Sequence, residues 1–439
     1  MRATRTDSAM LLLVALCASQ ASLTQDPGGL DLEALGTEIE RGVAAVTGRA
    51  FRKPVAIATT NAEEFTAYAI GKLEEDGGAE RMASDEVIAK HLGLVGRDVD
   101  LRALTLEVLA EQVGGFYDPP TDSFRVVEGL SADLTRVIMA HEFTHALDDQ
   151  HYDLDGLDTA REGSTDAQLA LHALAEGSAM EVMERWMMAN LATLDMAAVQ
   201  ESQASFSSAA LQAAPSYVWK PLLASYMAGQ TFLRKVERRT LLTPPASMAD
   251  VERAWSAPPR SMEQVLHPAK YWDPEQVDEP TAVTLPDALI PEGWTARRRD
   301  TLGELLLGIL VTPPKQRSGL EVDPMKLMSM SYTHPAAAGW DGDQVVLLRG
   351  PEGAAATVLL TVWDSATDAD EFEASLVPAL GPEFAGAVES AEDRADAPAP
   401  LVRAGRAVAL VRGDVARLGL DRTALRAHLV ALDRSLGEE

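Results

Sequence analysis

Residues 141–145 read His-Glu-Phe-Thr-His, inside a stretch whose apolar residues Leu134, Val137 and Ile138 recur at helical spacing. On a helix, positions i and i+4 share a face, so His141 and His145 can both reach one metal ion. Ser131 stands where the N-cap of that helix is expected. Glu142 lies beside the histidines, where a carboxylate can take a proton from a metal-activated water. Two neutral imidazoles at this spacing suit zinc. A catalytic zinc takes three protein ligands and leaves one position for water, so the fold must bring a third ligand to this helix. Taken alone, the pentapeptide also fits a surface helix carrying two solvated histidines, and its surroundings decide between the two.

Two residues compete for the third place. His151 follows His141 by ten positions, the spacing of a His-Glu-x-x-His-x-x-Gly-x-x-His site, but Asp148 stands where glycine makes the turn with positive φ. Glu176 falls in a strong helical pattern over 165–190, on a face otherwise made of Leu169, Leu171, Leu174, Ala175, Met180, Val182 and Met183. A carboxylate in such company is costly unless it is paired or bound to metal. Glu176 is therefore preferred over His151. Asp148 and Asp149 are placed to orient a ligating imidazole.

The surrounding pattern is mixed. Helices are expected over 30–47, after Asn61, over 101–113, around 205–212 and 221–236, after Pro258-Pro259, and over 301–311. A β-branched run covers 55–60, and residues 114–127, with a Pro119-Pro120-Thr121-Asp122 turn, read as a β-hairpin directly ahead of the histidine helix. Such an edge strand can bind an extended peptide through its backbone. Composition changes near Pro313-Pro314. Beyond about 320, strands (344–348, 357–363, 406–411) alternate with helices (368–378, 421–435). The fold class expected is α+β, with a mainly helical domain over 22–315, whose residues 22–100 form an N-terminal helical lobe, and a small α+β domain over 320–439.

The formal charge is −29, from 38 basic and 67 acidic residues, which argues against nucleic acid or an anionic membrane as partner. Arg2 and Arg5 followed by the apolar run 10–18 and Ser19-Gln20-Ala21 read as an export signal over 1–21, giving a periplasmic or secreted protein. No later run reaches the roughly 20 apolar residues a membrane helix needs. Cys17 is the sole cysteine; Leu16 ahead of it is larger than lipoprotein sites normally tolerate, so anchoring there is the less favoured reading. Cleavage after Ala21 leaves only His, Asp and Glu to hold zinc.

These residues resemble the gluzincins, zinc peptidases with two histidines from His-Glu-x-x-His and a glutamate from a later helix. The text is similar to a group of bacterial, mostly uncharacterised metallopeptidase-like proteins over His141 to Gln150, Ala173-Leu174-Ala175-Glu176-Gly177, and Pro259 to Tyr271. The likeness spans about 110–310. It implies a zincin-like domain with zinc held by His141, His145 and Glu176, and hydrolysis of peptide bonds with Glu142 as general base. Ser178 stands where that group's pattern has Asp, and Met262 where it has Thr. An oxyanion stabiliser is expected from His267, Tyr271 or Tyr226, with His267 favoured because it precedes Pro268 just after an apolar helix. The rival reading is a non-catalytic exported binding protein on the same scaffold.

Overall fold

A computed structural model describes residues 13–15, 31–74, 77–199, 209–240, 242–317, 319–320, 330–392 and 400–437. The signal expected over 1–21 lies outside them apart from the backbone of a short strand, and Cys17 lies outside altogether. The chain is mixed α+β, as the pattern predicts, with two small sheets among many helices.

In chain order the first part comprises β1 (Leu13–Ala15), α1 (Leu32–Thr47), β2 (Ala56–Thr60), α2 (Ala62–Glu74), α3 (Gly78–His91), α4 (Leu101–Gln112), β3 (Val113–Asp118), β4 (Ser123–Val127), α5 (Ala132–Tyr152), α6 (Leu154–Thr159) and α7 (Thr165–Asn190). Then come α8 (Ala209–Ala213), α9 (Ser216–Leu233), α10 (Met248–Ser256), α11 (Met262–Leu266) and α12 (Ala269–Trp272). β3 and β4 form the expected hairpin, β2 joins β4 in parallel, and β1 adds antiparallel to the other side of β3, giving the order β1-β3-β4-β2.

α5 is buried on nearly every side from Leu134 to Asp148 rather than along one stripe. It is the central helix of the first part, with α1 and the hairpin on one side and α7 on the other. Phe143 anchors it edge-on to Phe124 of β4, with ring centroids 5.7 Å apart. The start of α5 is fixed by Ser131, whose Oγ accepts the Leu134 N–H at 3.3 Å. Ser164 does the same for α7, accepting from Ala167 at 3.1 Å. The acidic stretch after α5 is not a plain loop: Asp153, with φ of 57°, reverses the chain and its Oδ1 accepts the Gly156 N–H to start α6.

α7 and α9 pack at glycine contacts. A Cβ on Gly177 would lie 2.5 Å from the Gly229 carbonyl carbon, and one on Gly229 would lie 1.9 Å from the Ala173 oxygen. Backbone thus meets backbone, and any larger residue would hold the helices apart.

The second part contains β5 (Thr295–Asp300), α13 (Gly303–Val311), β6 (Trp340–Arg349), β7 (Ala355–Trp363), α14 (Ala366–Ala379), α15 (Pro382–Glu392), β8 (Leu401–Ala404), β9 (Ala407–Gly413), α16 (Val415–Leu418) and α17 (Arg422–Ser435). Its five strands form an antiparallel sheet ordered β5-β6-β7-β9-β8. One face packs on α3, α13, α14 and α15 through Val345, Leu347, Leu359 and Leu410; the other packs on α17 through Val346, Leu348, Leu360 and Val411. Burial on both faces explains why β7 reads as an almost unbroken apolar run.

The sheet reaches back across the boundary expected at 315–320. β5 lies before it and pairs with β6, and α3 of the N-terminal lobe shares the core of the sheet. Arg317, 4% exposed, joins the parts by donating to the carbonyls of Gly93 at 2.6 Å and Leu310 at 2.5 Å.

Candidate metal centre

The structure brings His141, His145 and Glu176 together where α5 crosses α7. His141 Nε2 lies 3.0 Å from Glu176 Oε2 and 3.0 Å from His145 Nε2, and His145 Nε2 lies 3.5 Å from Glu176 Oε2. Three donor atoms thus form a nearly equilateral triangle. Donors about 2.0–2.1 Å from a tetrahedral zinc stand about 3.3 Å apart, so the triangle has the right size and this group can hold a metal ion. Both histidines are fully buried and Glu176 is 4% exposed.

Burial pushes His141 down, which favours the neutral imidazole that a cation needs as a ligand. Burial pushes Glu176 the other way, but the neighbouring His145 and His141 hold it down at about 2, so it stays a carboxylate. Glu142, fully buried, is pushed well up by burial and by the Glu176 charge. A bound cation would oppose both effects. Glu142 Oε2 accepts the Tyr117 backbone N–H at 2.7 Å, while Oε1 is buried with no protein partner. One oxygen fixes the side chain against β3 and the other remains uncommitted.

His151 stands apart. α5 runs straight through Asp148, so ten residues after His141 place His151 about 15 Å further along the axis and on another face. Its Nε2 bonds the Ala50 carbonyl at 3.0 Å. The turn that a third histidine would need at Asp148 occurs only at Asp153.

Neither aspartate orients an imidazole, contrary to expectation. Asp148 pairs with Arg49 at 2.5 Å and accepts the Ser178 hydroxyl at 2.8 Å. Ser178, where the related pattern has Asp, thereby ties α7 to α5 two residues from Glu176. Asp149 accepts the Tyr117 hydroxyl at 2.9 Å. Tyr117 therefore bridges hairpin and helix twice, through its amide to Glu142 and its ring oxygen to Asp149. No side-chain signal marks the first of these contacts, because a backbone amide makes it.

Among the three residues considered as oxyanion stabilisers, Tyr226 of α9 lies against the site, its ring stacked on His141 with centroids 6.1 Å apart. His267, the favoured one, is instead engaged by the buried Glu304 of α13, with its Nε2 3.0 Å from Glu304 Oε1. Tyr271 donates its hydroxyl to the Ala257 carbonyl at 2.6 Å. A second acidic group, Glu263, Asp278 and Asp364, surrounds Lys270 Nζ at 2.6, 2.7 and 2.9 Å, and that ammonium accounts for it.

No helix among the described residues is long and apolar enough to cross a membrane. Residues 291–422 match the model of a family described as a domain of unknown function, DUF8575; the span covers the C-terminal sheet and stops short of every metal-site residue. No curated protein and no solved structure matches the chain.

Proposed function

We propose that the chain is an exported zinc metallopeptidase, with zinc held by His141, His145 and Glu176. The observation that carries this reading is the donor triangle with Glu142 beside it, one carboxylate oxygen fixed and the other uncommitted. Zinc held by these ligands would supply a Lewis acid for an attacking water and a scissile carbonyl. Glu142 would serve as the base that takes a proton from the water and as the acid that returns it to the leaving amine. Tyr117 N–H keeps Glu142 aimed. Of the three candidates for the developing oxyanion, Tyr226 is the one whose ring lies against a ligand, and we assign it the role in place of His267.

An extended substrate fits the edge of β3, whose Tyr117 amide already reaches the site. In the full chain β1 lies along that edge, antiparallel, with Leu13 opposite Phe116. Removal of residues 1–21 on export vacates it. The test is Glu142→Gln in the zinc-loaded protein assayed on casein: zinc is retained and turnover falls by several orders of magnitude. Undiminished cleavage by that variant rules out the mechanism.

One observation favours the rival reading of a non-catalytic binding protein: the complete burial of both histidines, which is the habit of structural rather than catalytic zinc sites. Zinc at one equivalent with no cleavage of casein or a peptide library would decide for it.

A further inference from the structure

A cleft of about 760 Å³ opens far along the chain from the metal ligands, between α3, α15, β9 and α16. No residue of α5, α7 or α9 lines it. Among the described residues its walls carry Lys90, His91, Arg97 and Arg412 against a single acid, Glu383. In a chain with 67 acidic and 38 basic residues, that balance is the reverse of the average surface.

Among the described residues no ion pair involves Arg97 or Arg412, although Lys90 pairs with Glu86 at 2.6 Å. Arg412 is held in place rather than charge-matched: its Nε donates to the His91 carbonyl at 3.0 Å, and its guanidinium lies 4.9 Å from the centre of the Phe384 ring. Burial and the nearby Arg97 push Arg412 down against the opposing charge of Glu383, and burial with Arg349, Arg412 and Arg97 pushes His91 down against Asp414. Two guanidinium groups on one cleft, neither in an ion pair among the described residues, can grip an oxyanion together. Beside them Phe384, Leu380, Val411 and Val415 give the cleft an apolar floor. Its size lies in the range of small-molecule sites.

We propose that this cleft binds a small oxyanion, a phosphate or carboxylate group borne on a compact apolar body, with Arg97 and Arg412 gripping the anion and Phe384 packing against the body. The site belongs to the region matched by the domain of unknown function, apart from the residues that α3 and Arg97 supply. It is independent of the peptidase reading.

The experiment is isothermal titration of the full-length protein with inorganic phosphate and, separately, with butyrate, each against sodium chloride at matched ionic strength. Saturable binding of either probe is expected, and which one binds tighter identifies the anionic group. Arg97→Glu, at an exposed position that leaves folding intact, should weaken that binding at least tenfold. Arg97→Lys should retain most of it, and Arg412→Gln should weaken it as Arg97→Glu does. Binding of both probes no better than chloride overturns the proposal, as does binding that ignores Arg97→Glu and Arg412→Gln alike.

Discussion

Replacing Gly177 by alanine tests whether helix spacing sets the metal site. A methyl group there would stand 2.5 Å from the Gly229 carbonyl carbon and 2.6 Å from its oxygen, where ordinary contact begins at 3.4 Å, a shortfall of 0.9 Å. Both obstacles are backbone, so no side chain can swing away and α7 and α9 must part. Overpacking of this kind costs about 1–3 kcal/mol, and backbone obstruction puts it at the upper end. Alanine returns about 1 kcal/mol through its better helix propensity. The net expectation is a loss of about 2 kcal/mol on these terms. Gly229→Ala, with a shortfall of 1.5 Å (1.9 Å against 3.4 Å) at the Ala173 oxygen, should lose more. Because Glu176 adjoins Gly177 and Tyr226 rides on α9, parting the helices should also weaken zinc about 10–100-fold, as loss of supporting contacts does elsewhere. Urea denaturation of the metal-free protein reads the first effect and competition with a zinc-binding dye the second. Gly71→Ala in α2, where nothing lies within 4 Å, is the control and should gain about 0.5–1 kcal/mol. If Gly177→Ala matches that control in both measurements, the spacing argument is wrong.

Ligand identity has its own test: Glu176→Ala should lose tight zinc binding and His151→Ala should keep it, by metal analysis after gel filtration. The reverse would overturn the ligand assignment. For His267, burial pushes the imidazole down and Glu304 more than offsets it, so its pKa in the fold stands above the ordinary 6.5. The pair therefore contributes stability that is present below about 6.5 and lost as pH rises through the raised value. His267→Asn should cost more stability near pH 5.5 than near pH 8.5, and equal losses in urea at about those two pH values would refute the pairing. Finally, the chain beginning at residue 22 should cleave casein faster than a form that retains residues 1–21, since β1 no longer covers β3; equal rates would remove β3 as the substrate edge.

Local chemistry was legible and long-range pairing was not. The helix over 165–190 could be read to the residue because apolar residues recur along its whole length. Glu176 stood out because a carboxylate among leucines needs a partner, and that partner lay on the neighbouring helix. His267 misled because its actual partner, Glu304, sits 37 residues on inside an apolar helix, and no local pattern links the two. The Tyr117–Glu142 contact was missed because a backbone amide makes it. β5, Thr-Ala-Arg-Arg-Arg-Asp, was not expected because it is too polar to show strand alternation; its arginines reach Asp85 and Asp287 rather than a core.

That placement of β5 has a consequence for how the molecule comes apart. A protease cutting anywhere in 321–329 would leave β5 and α13 on the first fragment and their sheet partners on the second. The severed pieces would stay together as one particle through the β5–β6 ladder and the helix packed beneath it. Separating them would bare the long edge of β6, an adhesive surface that invites precipitation. The two halves of the sequence thus share one fate in unfolding, and neither can be traded for a homologous module without carrying a strand of the other along.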